Sequence, residues 1–288
     1  MATKPSDIAP SIGIDSVAGT LGAEITGVDL SGPLDDATIA EINQALLDNL
    51  VIFFRDQHIS PEQQIAFAQR FGELHIHPYI PNLEGYPEIL QLKSKESGPG
   101  YMAYQSNTWH TDLTYEAEPP KACVLRAVEV PVAGGDTMWN NLYAAYEALS
   151  KPMKQFLDGM IAVHYIAVSM PADFLEQQYS AKQVARFHEV TPPVEHPVVR
   201  THPETGRKCL FVNRNFTSHI KGLTRSESDA QLVFLLQHIE QPEFAVRFHW
   251  AKDSIAMWDN RCTQHYAVVD YDRQRTMHRV TICGDRPR

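Results

Sequence analysis

The sequence predicts a mostly β protein with flanking helices, an antiparallel sandwich or barrel rather than a doubly wound sheet. Three observations point there. Strand-like segments fall into two groups, one from about Ile89 to Trp139 and one from about Cys209 onward, with an insertion between them. Few of these segments alternate with helices, as a parallel sheet requires. Pro and Gly punctuate both groups.

The elements follow in order. Before Asp35 the chain is rich in Gly, Ser and Asp around short apolar runs such as Ala23-Glu24-Ile25, which predicts short strands and turns. Asp35 or Asp36 can cap a helix in which Ile39, Ile42, Leu46 and Leu50 repeat near the helical period. Val51-Ile52-Phe53-Phe54 then reads as a buried strand. Ser60-Pro61-Glu62-Gln63 combines a cap residue, a proline at the first helical position and a glutamine three residues on, with Gly72 as a stop just past Phe71. Strands are expected at Ile89 to Leu92, Trp109 to Tyr115, Cys123 to Val130 and Asp136 to Trp139. A second set is expected at Leu210 to Asn213, Val246 to Trp250, Ser254 to Trp258 and Arg279 to Cys283. Thr224 with Glu227 opens a further helix carrying Leu232, Leu235, Leu236 and Ile239 at helical spacing.

At 288 residues and 43% hydrophobic, the chain can bury a sizeable core, and it is expected to form one domain over residues 1–288 with a lid or helical insertion at about 150–205. The formal net charge of -10 argues against a nucleic-acid surface, because no window clusters Lys and Arg as phosphate binding requires. A small-molecule partner is the better expectation. Cys123, Cys209, Cys262 and Cys283 are too far apart in sequence for a zinc ribbon or a dense disulfide framework. Neither a secretory signal nor a membrane-length apolar run is present, so no membrane association and a cytoplasmic location are expected. Without such a signal, the Asn215-Phe216-Thr217 match to a glycosylation acceptor is expected to be chance.

The strongest local chemical signal is Trp109-His110-Thr111-Asp112, where two metal-competent side chains stand one residue apart on an expected strand and so share a face. An imidazole and a carboxylate so placed need a third ligand to close one face of an octahedron. A histidine-x-aspartate triplet alone is weak, since most histidines are satisfied by local hydrogen bonds. The outstanding third candidate is His265, in Trp258-Asp259-Asn260-Arg261-Cys262-Thr263-Gln264-His265.

Together, His110-x-Asp112, Gly134-Gly135-Asp136-Thr137, Trp258-Asp259-Asn260-Arg261, Thr263-Gln264-His265-Tyr266-Ala267 and Arg275…Arg279 resemble the taurine dioxygenase group of Fe(II)/2-oxoglutarate oxygenases, over about Gly22 to Pro287. The resemblance implies a double-stranded β-helix core of the jelly-roll, cupin-like kind. It implies Fe(II) on His110, Asp112 and His265, with three coordination positions left for a bidentate 2-oxo acid and O2. It places the distal carboxylate of 2-oxoglutarate on Arg275 and Thr137, a guanidinium being able to pair both oxygens in one plane. Arg279, four residues on and expected on the same side of its strand, corresponds to the residue facing a substrate sulfonate, and His77 to that residue's partner. Read without the motif, Arg275 is an ordinary surface arginine, Thr137 a sheet threonine and His77 a loop histidine.

The implied reaction hydroxylates a carbon beside a sulfonate or sulfate ester, releasing sulfite or sulfate and an aldehyde, with succinate and CO2 from the co-substrate. A dimer or tetramer is common in such a group. The sequence departs from the taurine enzymes around the substrate: Ile80 stands where a tyrosine is expected, with Tyr79 beside it, Ser106 replaces an asparagine and Met170 a lid phenylalanine, while Phe216 is kept. These changes remove polar handles and add flexible apolar volume, which suits a larger or less polar anion than taurine. An alkyl sulfate ester and an aryloxyalkanoate both stay open as substrates. A metal hydrolase with the same ligands, or a jelly roll that binds without oxidising, are the rivals from other classes. The hydrolase would need a general base, and no spare Glu or Asp has an assigned place in these motifs. His164, His196, His202, His219 and His278 read as satisfied structural histidines, and Trp109, Trp139, Trp250 and Trp258 as core and rim aromatics.

Overall fold

The computed structural model describes residues 12–77, 82–94, 106–169, 189 and 191–288. Strands β1 (Gly13–Ser16) and β2 (Ala23–Thr26) lead into α1 (Asp36–Asn49), capped by the Asp35 carboxylate, which accepts from the Thr38 N–H. Leu50 ends α1 at φ 66°, and β3 (Val51–Phe54) follows. Helix α2 (Pro61–Gln69) opens on the expected capping box between Ser60 and Gln63. Then come β4 (Leu74–His75), β5 (Asn82–Leu83), β6 (Tyr86–Lys93), β7 (Ala122–Glu129) and β8 (Thr137–Asn141).

Two short helices, α3 (Leu142–Glu147) and α4 (Lys151–Leu157), precede β9 (Ile161–His164), β10 (Val194–Pro197), β11 (Val199–Thr201), β12 (Lys208–Leu210) and β13 (Thr217–Ile220). Helix α5 (Arg225–Ile239) carries the second capping box, Thr224 with Glu227. The chain closes through β14 (Ala245–Phe248), β15 (Ile255–Asp259), β16 (Thr263–Ala267) and β17 (Thr276–Ile282).

The large sheet runs β1-β2-β3-β15-β7-β17-β6-β5, with β4 added on β17, and a smaller sheet runs β14-β8-β16. Pairing is antiparallel except where β2 meets β3. Two flanking sheets, β10-β9-β13 and β11-β12, are built from the insertion and the segment after it. This is the layered, mostly β architecture of a jelly roll.

The central strands explain how the core divides. On β3, Val51 and Phe53 face one hydrophobic cluster while Ile52 and Phe54 face another, and β15 splits likewise into Ala256 and Trp258 against Ile255 and Met257. Strand periodicity of two sends alternate side chains to opposite faces. Both faces are covered, so β3 and β15 are buried without interruption instead of alternating with polar residues. The first cluster lies against the small sheet, with Trp139, Phe248 and Trp258 fully enclosed, and the second lies under α1 and α2 through Ile42, Leu46 and Phe67.

Two expected strands are corrected. Residues 109–115 do not form a strand: His110 makes a single antiparallel bridge to His265, and the chain then turns, with Leu113 at φ 53°. Side chains take the ladder positions there, since Asn260 Oδ1 accepts from the Asp112 N–H and the Thr111 hydroxyl donates to the Thr263 carbonyl. The second strand stops at Leu210 because Asn213 Oδ1 accepts from the N–H groups of Asn215 and Phe216 and folds the chain into a local turn. Among the described residues, the segment at 150–205 carries helix α4 and a 3-10 turn at Ile166–Val168 together with strands β9, β10 and β11. No helix of these residues is long and apolar enough to cross a membrane.

Candidate active site

His265 lies on β16, opposite Trp139 of β8, and is tied to His110 by reciprocal backbone hydrogen bonds of 2.8 and 3.1 Å. That bridge brings the two imidazole centroids to 4.2 Å. The turn after it swings Asp112 between them, with Oδ1 3.7 Å from His110 Nε2 and Oδ2 3.8 Å from His265 Nε2. Ligand atoms from all three residues lie within 4.8 Å of one another, and all three residues are buried. His110 and Asp112 therefore converge as expected, by a bridge and a turn rather than by strand alternation.

Electrostatics puts the cluster in ligand form. Burial depresses the pKa of His265 to about 3, helped by His110, and burial likewise lowers His110, so both rings are neutral. Burial opposes the charge of Asp112, but the Arg279 guanidinium and the two imidazoles outweigh it and hold the carboxyl well below its usual range. His110 Nδ1–H donates to the Thr108 carbonyl at 2.7 Å, leaving Nε2 as the free lone pair. Two neutral imidazoles and one ionised carboxylate are the donor set of a facial Fe(II) site, and a metal requires its ligands deprotonated in this way.

Arg279, on β17, donates from Nη1 to both Asp112 oxygens at 3.0 and 2.9 Å. His77 joins this group: burial, then Arg279 and His75, lower its pKa to about 4 against the pull of Asp112. It is thus a neutral donor or acceptor at neutral pH. Arg275 lies one residue before β17 rather than on it. Its side chain passes Gly135, where an added Cβ would stand 3.3 Å from Arg275 Cδ and 3.2 Å from Tyr271 Cδ1. Gly135 sits at φ 72°, a conformation that further favours glycine. The Arg275 guanidinium makes no hydrogen bond or ion pair among the described residues, and its Nε is buried. Thr137, two residues beyond Gly135, is buried at the start of β8, and its oxygen accepts from Trp250 Nε1–H at 2.9 Å, so its hydroxyl hydrogen remains to be donated.

Phe216 packs on Tyr115 with centroids 5.0 Å apart, and with Leu113 and Ile166 they form an apolar wall immediately after Asp112. Ser106 is half-buried four residues before His110. Tyr79, Ile80 and Met170 lie outside the described residues. His278 points away as expected, toward Gln91 and Arg126. Sequence reasoning missed Cys123, whose Sγ–H points at Asp112 Oδ2 from 3.5 Å, and Asn260, whose amide holds the Asp112 backbone. No local pattern could have signalled Cys123, since only the β7–β17 register brings it there.

The model of the taurine catabolism dioxygenase TauD, TfdA family matches residues 13–281. The chain belongs to the TauD/TfdA family. Among curated members, an alpha-ketoglutarate-dependent sulfate ester dioxygenase of Pseudomonas putida is 39% identical over 292 residues, covering 100% of this chain and 94% of the relative. Among solved structures, a taurine dioxygenase from Burkholderia xenovorans superposes with a TM-score of 0.81 at 39% identity, covering 96% of this chain and 91% of that one. AAD-2, solved in complex with Mn(II) and N-oxalylglycine, gives a TM-score of 0.81 at 29% identity and covers 96% of this chain and 99% of its own. The TauD/TfdA family thus includes enzymes for both kinds of sulfur oxyanion named here.

Proposed function

We propose that this TauD/TfdA member is an Fe(II)- and 2-oxoglutarate-dependent dioxygenase that hydroxylates the carbon next to a sulfate ester or sulfonate, releasing sulfate or sulfite and an aldehyde. The observation that carries this is Asp112, held ionised between two neutral imidazoles beside a basic group suited to an anion. His110, Asp112 and His265 hold the metal. Bound Fe(II), with 2-oxoglutarate and O2, supplies the oxidising power, and succinate and CO2 are the co-products.

The chain's own residues bind, orient and exclude water. Arg275, whose guanidinium has no partner among the described residues, and Thr137, with a hydroxyl hydrogen to give, take the distal carboxylate of 2-oxoglutarate. Arg279 has donors beyond Nη1, including a buried Nε without a partner among the described residues, and turns them to the substrate's oxyanion, with His77 as a second polar contact. Ser106 and Phe216 line the substrate side, and the wall of Phe216, Tyr115, Leu113 and Ile166 keeps the reacting carbon dry. C–H cleavage needs no acid or base from the protein, and the hydroxylated carbon expels its sulfur oxyanion without one. The chain acts as one catalytic domain, in the cytoplasm, assembled as a dimer or tetramer, the last being read by light scattering.

Oxygen uptake and succinate formation on a panel of alkyl sulfate esters, alkyl sulfonates including taurine, and phenoxy acids test the reading. Coupled turnover is expected to be highest with a sulfur oxyanion whose alkyl chain is longer than that of taurine. Coupling only to phenoxy acids would replace the substrate class, and full activity after His110→Ala, Asp112→Ala or His265→Ala would end the ligand assignment.

A further inference from the structure

Asp112 differs from the other two ligand candidates in how its backbone is held. His265 is fixed by a strand and His110 by a bridge to it, whereas Asp112 lies in the turn that leads to Leu113 at φ 53°. A metal ligand on a turn needs a separate clamp, because a misplacement of a few tenths of an ångström spoils the geometry of a small, hard ion.

That clamp is Asn260. Its side chain is fully buried, its Oδ1 accepts from the Asp112 N–H at 3.0 Å, and its Nδ2 donates to the Asp112 carbonyl at 3.1 Å and to the Pro120 carbonyl at 3.2 Å. One amide therefore reads both polar groups of the Asp112 backbone, as a neighbouring strand would. The Asn260 backbone is itself pinned, since its N–H donates to the Lys121 carbonyl.

The turn that presents Asn260 is locked by its neighbours. Asp259 accepts from the Arg261 N–H and Nε–H through Oδ1 and from Arg261 Nη2 and His202 through Oδ2. The Thr263 hydroxyl donates to the Asp259 carbonyl, which fixes the start of β16 and with it His265. His202, Asp259 and Cys262 have the ligand-atom spacing of a metal site, but His202 and Asp259 are committed to hydrogen bonds and burial keeps the Cys262 thiol protonated by pushing its pKa well above the usual value. His202 Nδ1 accepts from the Glu204 and Thr205 N–H groups, which leaves the proton on Nε2 facing Asp259. The cluster is a mechanical lock rather than a second metal centre.

We infer that Asn260 is a positioning residue that sets metal affinity by fixing the Asp112 backbone, with the Asp259–Arg261–His202 lock holding Asn260 in turn. This rests on Asp112 being a metal ligand. The same hydrogen-bond pattern occurs at the opposite end of β15 and supplies a matched control: Gln57 Oε1 accepts from the Leu30 N–H, and its Nε2 donates to the Val28 and Arg55 carbonyls.

The test is Co(II) binding, read by d–d absorption and equilibrium dialysis on the full chain, alongside thermal unfolding of the metal-free protein. Asn260→Ser is expected to weaken Co(II) binding at least tenfold, within the roughly 10- to 100-fold range seen when groups orienting a metal ligand are removed. Gln57→Ser is expected to lose comparable thermal stability with the Co(II) Kd unchanged within about twofold. Asn260→Asp keeps the acceptor for the Asp112 N–H but sets a carboxylate oxygen against the Asp112 and Pro120 carbonyls in place of the donor, so it provides the measurement if the serine variant does not fold, with at least a threefold loss expected. Unchanged Co(II) affinity in a folded Asn260 variant, or an equal loss in Gln57→Ser, would overturn the inference. Asp112→Ala separates the two levels: if it leaves Co(II) affinity intact the ligand assignment itself fails, and if only the Asn260 variants do so the clamp alone fails.

Discussion

Replacing Arg275 by Met should separate stability from function. The guanidinium is partnerless among the described residues, and a buried donor without a hydrogen bond costs about 1–3 kcal/mol. Burial also lowers the pKa of this arginine, which marks an environment that disfavours its charge, although Asp136 and Tyr271 offset part of it. Met fills similar volume with no donor, so the variant without co-substrate should be as stable as the parent or more so. The proposed role predicts the opposite for the bound form. At a hundredfold excess over Kd, 2-oxoglutarate should stabilise the parent by about 2.7 kcal/mol. At roughly 2 cal/mol/K of unfolding entropy per residue, that is a rise in Tm of about 5 °C for a chain of this length. Calorimetry of the Mn(II)-loaded protein, in which turnover does not intrude, reads both numbers. The expected result is a Tm for Arg275→Met at or above the parent's, with the 2-oxoglutarate increment gone. An Arg275→Met protein that still gains the full 5 °C, or one that loses more than about 2 kcal/mol without co-substrate, would refute the reasoning, because the guanidinium would then have been satisfied elsewhere.

Gly135→Ala would put a methyl group 3.3 Å from Arg275 Cδ at φ 72°, adding roughly 1–2 kcal/mol of backbone strain and displacing the side chain; the KM for 2-oxoglutarate should rise at least fivefold, and an unchanged KM would count against the placement of Arg275. Arg279→Met, assayed at saturating metal, should raise the KM for the sulfur oxyanion at least tenfold while moving that for 2-oxoglutarate less than threefold, since a charged hydrogen bond contributes about 1.5–3 kcal/mol; equal changes in both would merge the two anion sites. Acid should destabilise the protein through His196, whose pKa burial lowers to about 4, and through His164, held well below its usual value by burial and by His196. Below about pH 6.5 the unfolded chain takes up protons that these rings refuse, so stability is complete above that pH and falls by about 1.4 kcal/mol per pH unit per ring toward pH 4. Urea unfolding at pH 7 and pH 4.5 should show the midpoint fall, and an unchanged midpoint would exclude the effect.

Much of the fold was legible along the chain. Helices α1, α2 and α5 carried their own start signals in Asp35, the Ser60–Gln63 box and the Thr224–Glu227 box, because a cap is a contact between residues two or three apart. Strands β3, β6, β7 and β15 were visible as apolar runs. A strand was expected to carry His265, but the bounds of β16 could not be read, because it runs Thr-Gln-His-Tyr-Ala with no apolar alternation. It is a strand because β8 and the His110 bridge pair with it. The expected strand at 109–115 failed for the complementary reason: its composition favours β, but Asn260, 148 residues away, occupies the hydrogen-bonding positions of Asp112.

What the sequence by itself determined are the identities of the chemical groups and their order: two histidines and an aspartate able to take a metal, two arginines near the end, and a glycine pair that lets the backbone pass close to one of them. Those are properties of residue types and near neighbours. The tertiary structure alone decided how they act on one another. Burial neutralises His110 and His265, Arg279 keeps Asp112 charged, and Arg275 is left without a partner among the described residues; none of these has a local cause. A pKa, an unmet hydrogen bond and a ligand held in place from across the fold depend on which distant segments exclude water together, and that follows from sheet register and packing rather than from spacing along the chain.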